Sequence, residues 1–554
     1  MTSGSSKQLT DSTNFVKSAS IKFNFVKPPA AKATSSSANS SKSIAKRITI
    51  KSKTHTNKAT ASLSSGSATS SATSKGTKTE RHGGISDNVG RFAPGWKDTN
   101  ETPPRGNLIF DAQFESGNLE DVRAISDCEY RLSIRPDTRN DRYRVWFYFS
   151  VENCRNNQRV VFHVANYTKA AALFEKGWAA PVVRSSKQPK WRRLPERQVQ
   201  HAGTSADGQT TQLTFWYLFD NTKSVFEFAL CYPYTYTRLQ KYLGALCVKQ
   251  RSSYLKRQKL ATSLQHRPID LLTITNGVKE SIKKPTVVVT ARVHPGETPA
   301  SIVCQGLIDF LVSESEAAAE LRELFVFKIV PMLNPDGVCN GNYRCSSDGE
   351  DLNRQWTSPT ANGQPEIFFA KQLLLDSNNN TQDPPVVLYL DIHGHTQRPG
   401  AFMYGNVYDN DLTRCHRQFV LPQLLANLTT DFDMTSTQLN NEPSKDGSSR
   451  RVFAELLDRD TLCYTLEASL FSYRTVVGNS KFTHTVPYTE DAYLSLGANV
   501  ALAILQFSQV QRGERVCVLQ PIQKRRTNNN QTVLLTSKMP KTTTGMTNAK
   551  GKQS

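Results

Sequence analysis

The run Thr286-Val287-Val288-Val289-Thr290 has no polar face. A strand exposed on one side alternates apolar and polar residues, whereas one that is apolar throughout must be covered on both sides. That is the situation of a central strand in a helix-flanked parallel sheet. Val386 to Ile392 is a second such run, and Phe325 to Val330 reads as a third strand. Helical spacing falls between them. Ile302, Val303, Leu307, Phe310 and Leu311 recur on one face behind Thr298 as the expected cap, and a further helix is expected around Glu366 to Leu375. A last helix opens with Thr489 as cap, carries Glu490 and Asp491 in its first turn, and continues as an apolar stripe through Leu505. Strands alternating with helices predict an α/β domain over residues 261–511, with a mixed, mostly parallel sheet flanked by helices and the folded part ending near residue 510.

The stretch before it has a different period. Tyr130 to Ile134 alternates, Val145, Phe147 and Phe149 share one face, and Val160 to Val164, Leu213 to Phe219 and Val225 to Leu230 continue the series. Short strands between polar turns predict an antiparallel β-sandwich over residues 106–260. It holds no catalytic constellation, and Trp146, Phe147, Trp216 and Tyr217 read as core and inter-domain packing.

Charge separates the ends from the middle. Of the formal net charge of +21, residues 1–105 carry 17 basic and 5 acidic groups, a net of +12, and residues 512–554 carry 9 and 1, a net of +8. The middle is almost neutral, so the excess belongs to tails rather than to a basic face. Both tails, 1–105 and 512–554, are rich in Ser, Thr and Lys and are expected to be disordered. Phe23, Phe25 and Val26 are candidates for a short docking segment, and Lys46-Arg47 and Lys524-Arg525-Arg526 are compatible with nuclear import. No window reaches the ~18 apolar residues of a membrane-spanning helix. The first residues lack a compact apolar stretch with a cleavage site, so secretion is not expected. Ten cysteines without a Cys-x-x-Cys pair read as reduced thiols in a cytosolic or nuclear protein.

The residues that carry chemistry stand at strand ends. The strand from Thr286 leads into His294-Pro295-Gly296-Glu297, and the strand from Val387 ends in Asp391-Ile392-His393-Gly394-His395. Ligands of open α/β sheets bind at the carboxyl ends of strands, and two histidines with one glutamate form a known catalytic zinc set that leaves a position for water. His294, Glu297 and His393 are therefore the candidate ligands, and His395, returned to the same side by alternation, is taken as a supporting partner in preference to an alternate ligand. Asn353-Arg354 offers a planar guanidinium and an amide, the donors that hold a free carboxylate. Glu467, one carboxylate in the apolar run Tyr464-Thr465-Leu466-Glu467-Ala468, is a misfit unless paired or functional, and is placed to act as general base toward an attacking water.

In this order His-x-x-Glu, Asn334-Pro335-Asp336-Gly337, Asn353-Arg354, the strand-end His393 and the late Glu467 resemble the zinc metallocarboxypeptidases. The sandwich in front, with Gly447-Ser448-Ser449-Arg450-Arg451, Cys463 to Glu467 and Val486-Pro487-Tyr488-Thr489-Glu490, resembles the cytosolic carboxypeptidase subfamily over about residues 106–510. The resemblance implies a metallocarboxypeptidase-like fold and one Zn2+ per chain. It implies Arg344 as the residue that polarises the scissile carbonyl, Asn353 and Arg354 as the clamp on the terminal carboxylate, and Arg450 at the pocket floor selecting an acidic side chain. It further implies removal of C-terminal glutamates, as from polyglutamylated tubulin or other acidic tails, in the cytoplasm or at the cytoskeleton or a cilium. The segment Asp446-Gly447-Ser448-Ser449 departs from the Gly-Thr-Gly-like turn of the subfamily. Two other readings stand beside this one. A zinc deacylase of small N-acyl amino acids would share the metal set but not the Asn353-Arg354 clamp. A non-catalytic protein binding microtubules through its basic tails would not need every catalytic position filled. Nucleic-acid binding has charge alone behind it and is not expected.

Overall fold

The computed structural model describes residues 85–96, 101–168, 180–204, 211–249, 254–277, 283–379, 385–476, 483–519, 522–526 and 532–536. Phe23, Phe25, Val26 and Lys46-Arg47 lie outside the described residues. Among the described residues the N-terminal strands form two five-stranded sheets. One runs Ile109–Asp111, Tyr148–Glu152, Phe226–Ala229, Val182–Ser185, Arg192–Arg193, and the other Asp121–Ser126, Glu129–Ser133, Gln158–Tyr167, Thr211–Phe219, Val199–Thr204. Alternation sends Phe110, Phe149, Phe162, Phe215 and Phe228 inward, where their rings meet edge-on, tilted or, for Phe149 and Phe228, stacked. Pairing is antiparallel except between Glu129–Ser133 and Gln158–Tyr167. The chain crosses to the other sheet between these two strands and so returns in the same direction. Trp146, Phe147 and Tyr217 are buried as expected. Trp216 is the exception: it sits on the outer face, where the Arg159 guanidinium lies 4.3 Å over its ring.

The second half is built on a ten-stranded sheet in the order Leu255–Thr262, Pro268–Ile274, Val326–Val330, Thr286–Ala291, Val386–His395, Leu462–Ser469, Ala401–Asn406, Gln438–Asn440, Thr532–Thr536, Ile522–Arg526. The parallel character belongs to the four central strands, from Val326–Val330 to Leu462–Ser469. Both edges are mainly antiparallel. Strand alternation divides two cores. Val287, Val289, Leu390 and Ile392 pack against the helices Thr298–Leu311 and Glu490–Gln511, in one core that continues into the sandwich. Val288, Tyr389 and Cys463 face the helices Pro365–Asn379 and Ser449–Leu456. The helix Glu490–Gln511 has the length and apolar content to cross a membrane, which the sequence reading did not register. Its Leu496, Val500 and Ile504 are buried in the core instead.

Three expectations change. The described parts of both segments expected to be disordered contribute to the fold. Phe92 bridges Phe110 at the edge of the sandwich, and Thr532–Thr536 pairs with Gln438–Asn440, burying Val533 and Leu534. The five residues Thr532–Thr536 are too short a run to stand out locally, and they find their partner almost a hundred residues upstream. Thr298 is the first helical residue rather than the cap; Glu297 occupies the cap without capping, because its carboxylate is turned to the histidines. Thr489 caps the last helix through Ala492 N as expected. The ten cysteines are all free thiols.

Candidate metal centre and active site

The parallel strands Thr286–Ala291, Val386–His395 and Leu462–Ser469 end side by side, and the loops that follow them enclose a cavity of about 250 Å³. All eight site residues expected from the sequence line it: His294, Glu297, Arg344, Asn353, Arg354, His393, Arg450 and Glu467. The first turn out of the strand Thr286–Ala291 is sharp. Arg292 adopts φ +61°, costly for a residue with a side chain, and its buried guanidinium secures the bend by donating to Pro295 O at 2.7 Å and Ser301 Oγ at 2.9 Å. Gly296 then passes so close to Tyr343 that a Cβ would stand 2.5 Å from the ring. The result is that His294 and Glu297 turn back over the strand ends.

The donor atoms of His294, Glu297 and His393 all lie within 4.8 Å of one another, and all three residues are buried. Each imidazole shows Nδ1 to Glu297: His294 at 2.9 Å from Oε1 and His393 at 2.9 Å from Oε2. Each Nε2 is held by another carboxylate, Asp351 Oδ1 at 3.1 Å from His294 and Asp391 Oδ2 at 2.8 Å from His393. Carboxylates behind the ring nitrogens fix tautomer and orientation, the usual support of metal-binding histidines. Burial by itself would raise the Glu297 pKa, but His294 and His393 more than offset it and hold the group ionised. Two oriented imidazoles and an ionised carboxylate converging on one point are a donor set that suits zinc.

Glu467 stands abreast of His393 on the neighbouring strand and so faces the same cavity. Burial, with Glu297 adding to it, pushes its pKa up to about 7 against the attraction of the histidines and Lys445. Across the cavity the Arg344 guanidinium is paired with Asp351, Nη2 to Oδ2 at 2.6 Å. Asn353 and Arg450 are brought together by the segment around Gly447, where a Cβ would meet Arg354 O at 2.5 Å. That approach lets Ser449 N donate to Asn353 Oδ1 at 3.2 Å and Ser449 Oγ to Asp391 Oδ2 at 2.7 Å. The serine-rich departure in this turn is thus part of the site's wiring. Arg450 is 1% exposed, and its guanidinium donates only to neutral oxygens: Gly405 O, Asn406 Oδ1 at 2.6 Å and Asn440 Oδ1 at 3.0 Å. Among the described residues neither Arg450 nor Arg354 forms an ion pair. Burial lowers the Arg450 pKa to about 10.

Asp391 and Ser449 were quoted in the motifs without being given a role, and Asp351, two residues before Asn353, was not singled out. Asp391 lies two residues before His393, so alternation alone places it on the same face. His395 makes no bond to the three candidate ligands. Its Nδ1 accepts from Arg398 N at 3.3 Å, Nε2 lies 3.3 Å from Gly400 O, and the ring meets Phe402 edge-on, so it orders the loop that follows.

Residues 245–450 match the family model described as zinc carboxypeptidase, and residues 110–228 match that of the cytosolic carboxypeptidase N-terminal domain. Cytosolic carboxypeptidase 6 of Mus musculus is 47% identical over 409 residues, 73% of this chain and 74% of the relative. The protein of that name from Caenorhabditis elegans is 44% identical, over 76% of this chain and 91% of its own length. The chain belongs to the cytosolic carboxypeptidase family. As a member it is a zinc metallocarboxypeptidase, a hydrolase with one metal ion, for which His294, Glu297 and His393 are the fitting ligands. A solved metallo-carboxypeptidase from Burkholderia cenocepacia, 24% identical, shares the fold with a TM-score of 0.60, covering 73% of this chain and the whole of that one. The sandwich holds the residues that match the cytosolic carboxypeptidase N-terminal domain, and the helix-flanked sheet most of those that match zinc carboxypeptidase.

Proposed function

We propose that this carboxypeptidase removes C-terminal glutamates and shortens polyglutamate chains on tubulin or similar acidic tails in the cytoplasm. The observation that carries the reading is Arg450, a buried guanidinium on the cavity wall that, among the described residues, hydrogen-bonds only to neutral oxygens. A buried cation without a counter-charge is costly, and an acidic side chain entering the cavity supplies the missing charge. Arg354 and Asn353 take the terminal carboxylate next to it. Zinc, when bound by His294, Glu297 and His393, supplies a Lewis acid and lowers the pKa of water. Glu467 accepts the proton of the attacking water and passes it to the leaving amine, while Arg344 hydrogen-bonds the carbonyl oxygen as negative charge develops. The tails, at +12 and +8, favour encounter with polyanionic substrates. Raising salt from 50 to 300 mM is accordingly expected to slow turnover of polyglutamylated tubulin while leaving a short peptide's kcat unchanged; equal effects on both would remove the tails from the account.

The deciding experiment is release of free glutamate from a peptide ending in several glutamates, with and without a zinc chelator. Chelator-sensitive release is expected, with peptides ending in glutamine cut far more slowly. Comparable release from neutral and acidic ends, or none from either by the zinc-loaded protein, would overturn the reading.

Two further outcomes follow from the site's electrostatics. The base form of Glu467 is lost as pH falls, so kcat/KM should decline on the acid side through a group raised toward about 7. The zinc charge adds to the pull of the histidines, so this limb lies at or below that value. A profile flat from pH 5 to 8 would contradict it. Asp391→Asn removes the carboxylate behind His393 and should weaken zinc binding about 10–100-fold, read by competition with a chromogenic chelator.

A further inference from the structure

Outside the zinc-facing groups, a dense set of buried polar contacts lies where the sandwich meets the loop carrying Arg344. Asp137 belongs to the sandwich, is 2% exposed, and aims its carboxylate at three consecutive backbone N–H groups of that loop. Oδ1 accepts from Tyr343 at 2.6 Å, and Oδ2 from Arg344 at 2.7 Å and Cys345 at 2.8 Å. Its neighbours grip the same segment. Thr138 donates from both its backbone N and its Oγ1 to Asn342 Oδ1, each at 3.0 Å. Asn118 Nδ2 donates to Gly341 O at 3.0 Å, and the Arg135 guanidinium to Asn340 O. At Gly341, with φ +73°, a Cβ would stand 2.3 Å from Gly117 O, so the two backbones touch.

A carboxylate this deep is tolerated only when its lone pairs are filled, and three converging amide dipoles form the kind of nest that holds an anion. Asp137 is not among the residues that line the cavity, so its charge is directed to the loop rather than to a substrate. Arg344 is thereby fixed at two ends, its backbone by Asp137 and its guanidinium by Asp351. The residues proposed for the terminal-carboxylate clamp, Asn353 and Arg354, and for the pocket floor, Arg450, come from other segments, which Asp137 does not bond.

We propose that Asp137 is a positioning residue for catalysis: through this one carboxylate the sandwich sets where the Arg344 guanidinium stands against the scissile carbonyl. The inference rests on the reading of Arg344 as the group that polarises that carbonyl. Misplacing a catalytic group by about 1 Å costs on the order of 10²-fold, and a loss confined to the transition state falls on kcat rather than KM.

The test is a double-mutant cycle in the full chain loaded with zinc. Asp137→Asn keeps the size but turns one acceptor oxygen into a donor facing an N–H. It is expected to lower kcat about 10–100-fold, with KM and bound zinc unchanged. Arg344→Ala should lower kcat about 10²–10³-fold. The double variant should be no slower than Arg344→Ala alone, because the group through which Asp137 acts is already gone. A double variant slower by the full Asp137→Asn factor, or a raised KM with unchanged kcat in the single one, overturns the inference and leaves the reading of Arg344 standing. Wild-type kcat for Arg344→Ala overturns that reading and the inference with it. If Asp137→Asn does not fold, Thr138→Val removes the hydroxyl that donates to Asn342 and keeps the backbone bond. It should lower kcat about 2–10-fold, with the same cancellation in the Arg344→Ala background; a multiplicative loss there overturns the inference equally.

Discussion

Glu467→Gln is expected to give a folded, zinc-loaded protein that turns over at least about 10³-fold more slowly than the parent, with KM nearly unchanged. The change removes one function and little else. Glutamine has the same shape, so the strand Leu462–Ser469 and its pairing with Val386–His395 persist. Glu467 is not one of the three converging donors, so zinc stays. The proposed terminal-carboxylate clamp, Asn353 and Arg354, sits on other segments, so ground-state binding is expected to stay too. What is lost is a proton acceptor abreast of His393, in surroundings whose burial brings its pKa up to about 7, well matched to abstracting and returning a proton near neutrality. General-base catalysis contributes about 10²–10⁴-fold, and here the same carboxylate is asked to serve both proton transfers. The check is kcat on a glutamate-ended peptide with zinc measured in the same sample. A loss below tenfold, or a loss accompanied by missing zinc, would remove Glu467 from that role. The acid limb of the pH profile should vanish in the residual activity of the variant.

Why Glu467 and the three converging donors were legible, and other members of the site were not, is a matter of what each residue does. His294, His393 and Glu467 announce themselves because buried, apolar strands have no use for a polar residue at their ends unless it reaches a ligand. The two-residue period along Val386–His395 also carried enough information to find Asp391, on the face of His393. Asp351 was harder. It joins His294 to Arg344 from a loop, where no period relates one position to the next.

Asp137 left no trace in the motifs at all. It acts on backbone N–H groups, which every sequence at 343–345 except proline would offer, and its partner loop lies more than two hundred residues away. The same blindness to long range hid the pairing of Thr532–Thr536 with Gln438–Asn440. At Thr298, a local rule was outvoted by chemistry. Threonine is a good cap, but the chain enters the helix from a loop shaped by Glu297 facing two histidines, and the helix begins one residue earlier than the cap rule allows.

Arg450→Ala is expected to erase the proposed preference for glutamate over glutamine at the substrate's end. In the parent, Arg450 is buried, its charge lowered in pKa by burial and unopposed by any described carboxylate within ion-pair distance. A glutamate side chain entering the cavity therefore gains a full charge–charge contact, whereas glutamine gains a hydrogen bond at most. Truncating one partner of such a buried pair costs about 2–5 kcal/mol, so kcat/KM on glutamate ends should fall about 10²–10³-fold. On glutamine ends the fall should stay within about tenfold, reflecting the cavity left behind and the loss of order around Asn406 and Asn440. The ratio of the two constants is the readout, because misfolding or metal loss would lower both alike. An equal loss on both ends would place Arg450 in the frame of the pocket rather than at its floor. Arg398 and Lys445, the other cations lining the cavity beside Arg344 and Arg354, would then be the groups to test for selection of an acidic side chain.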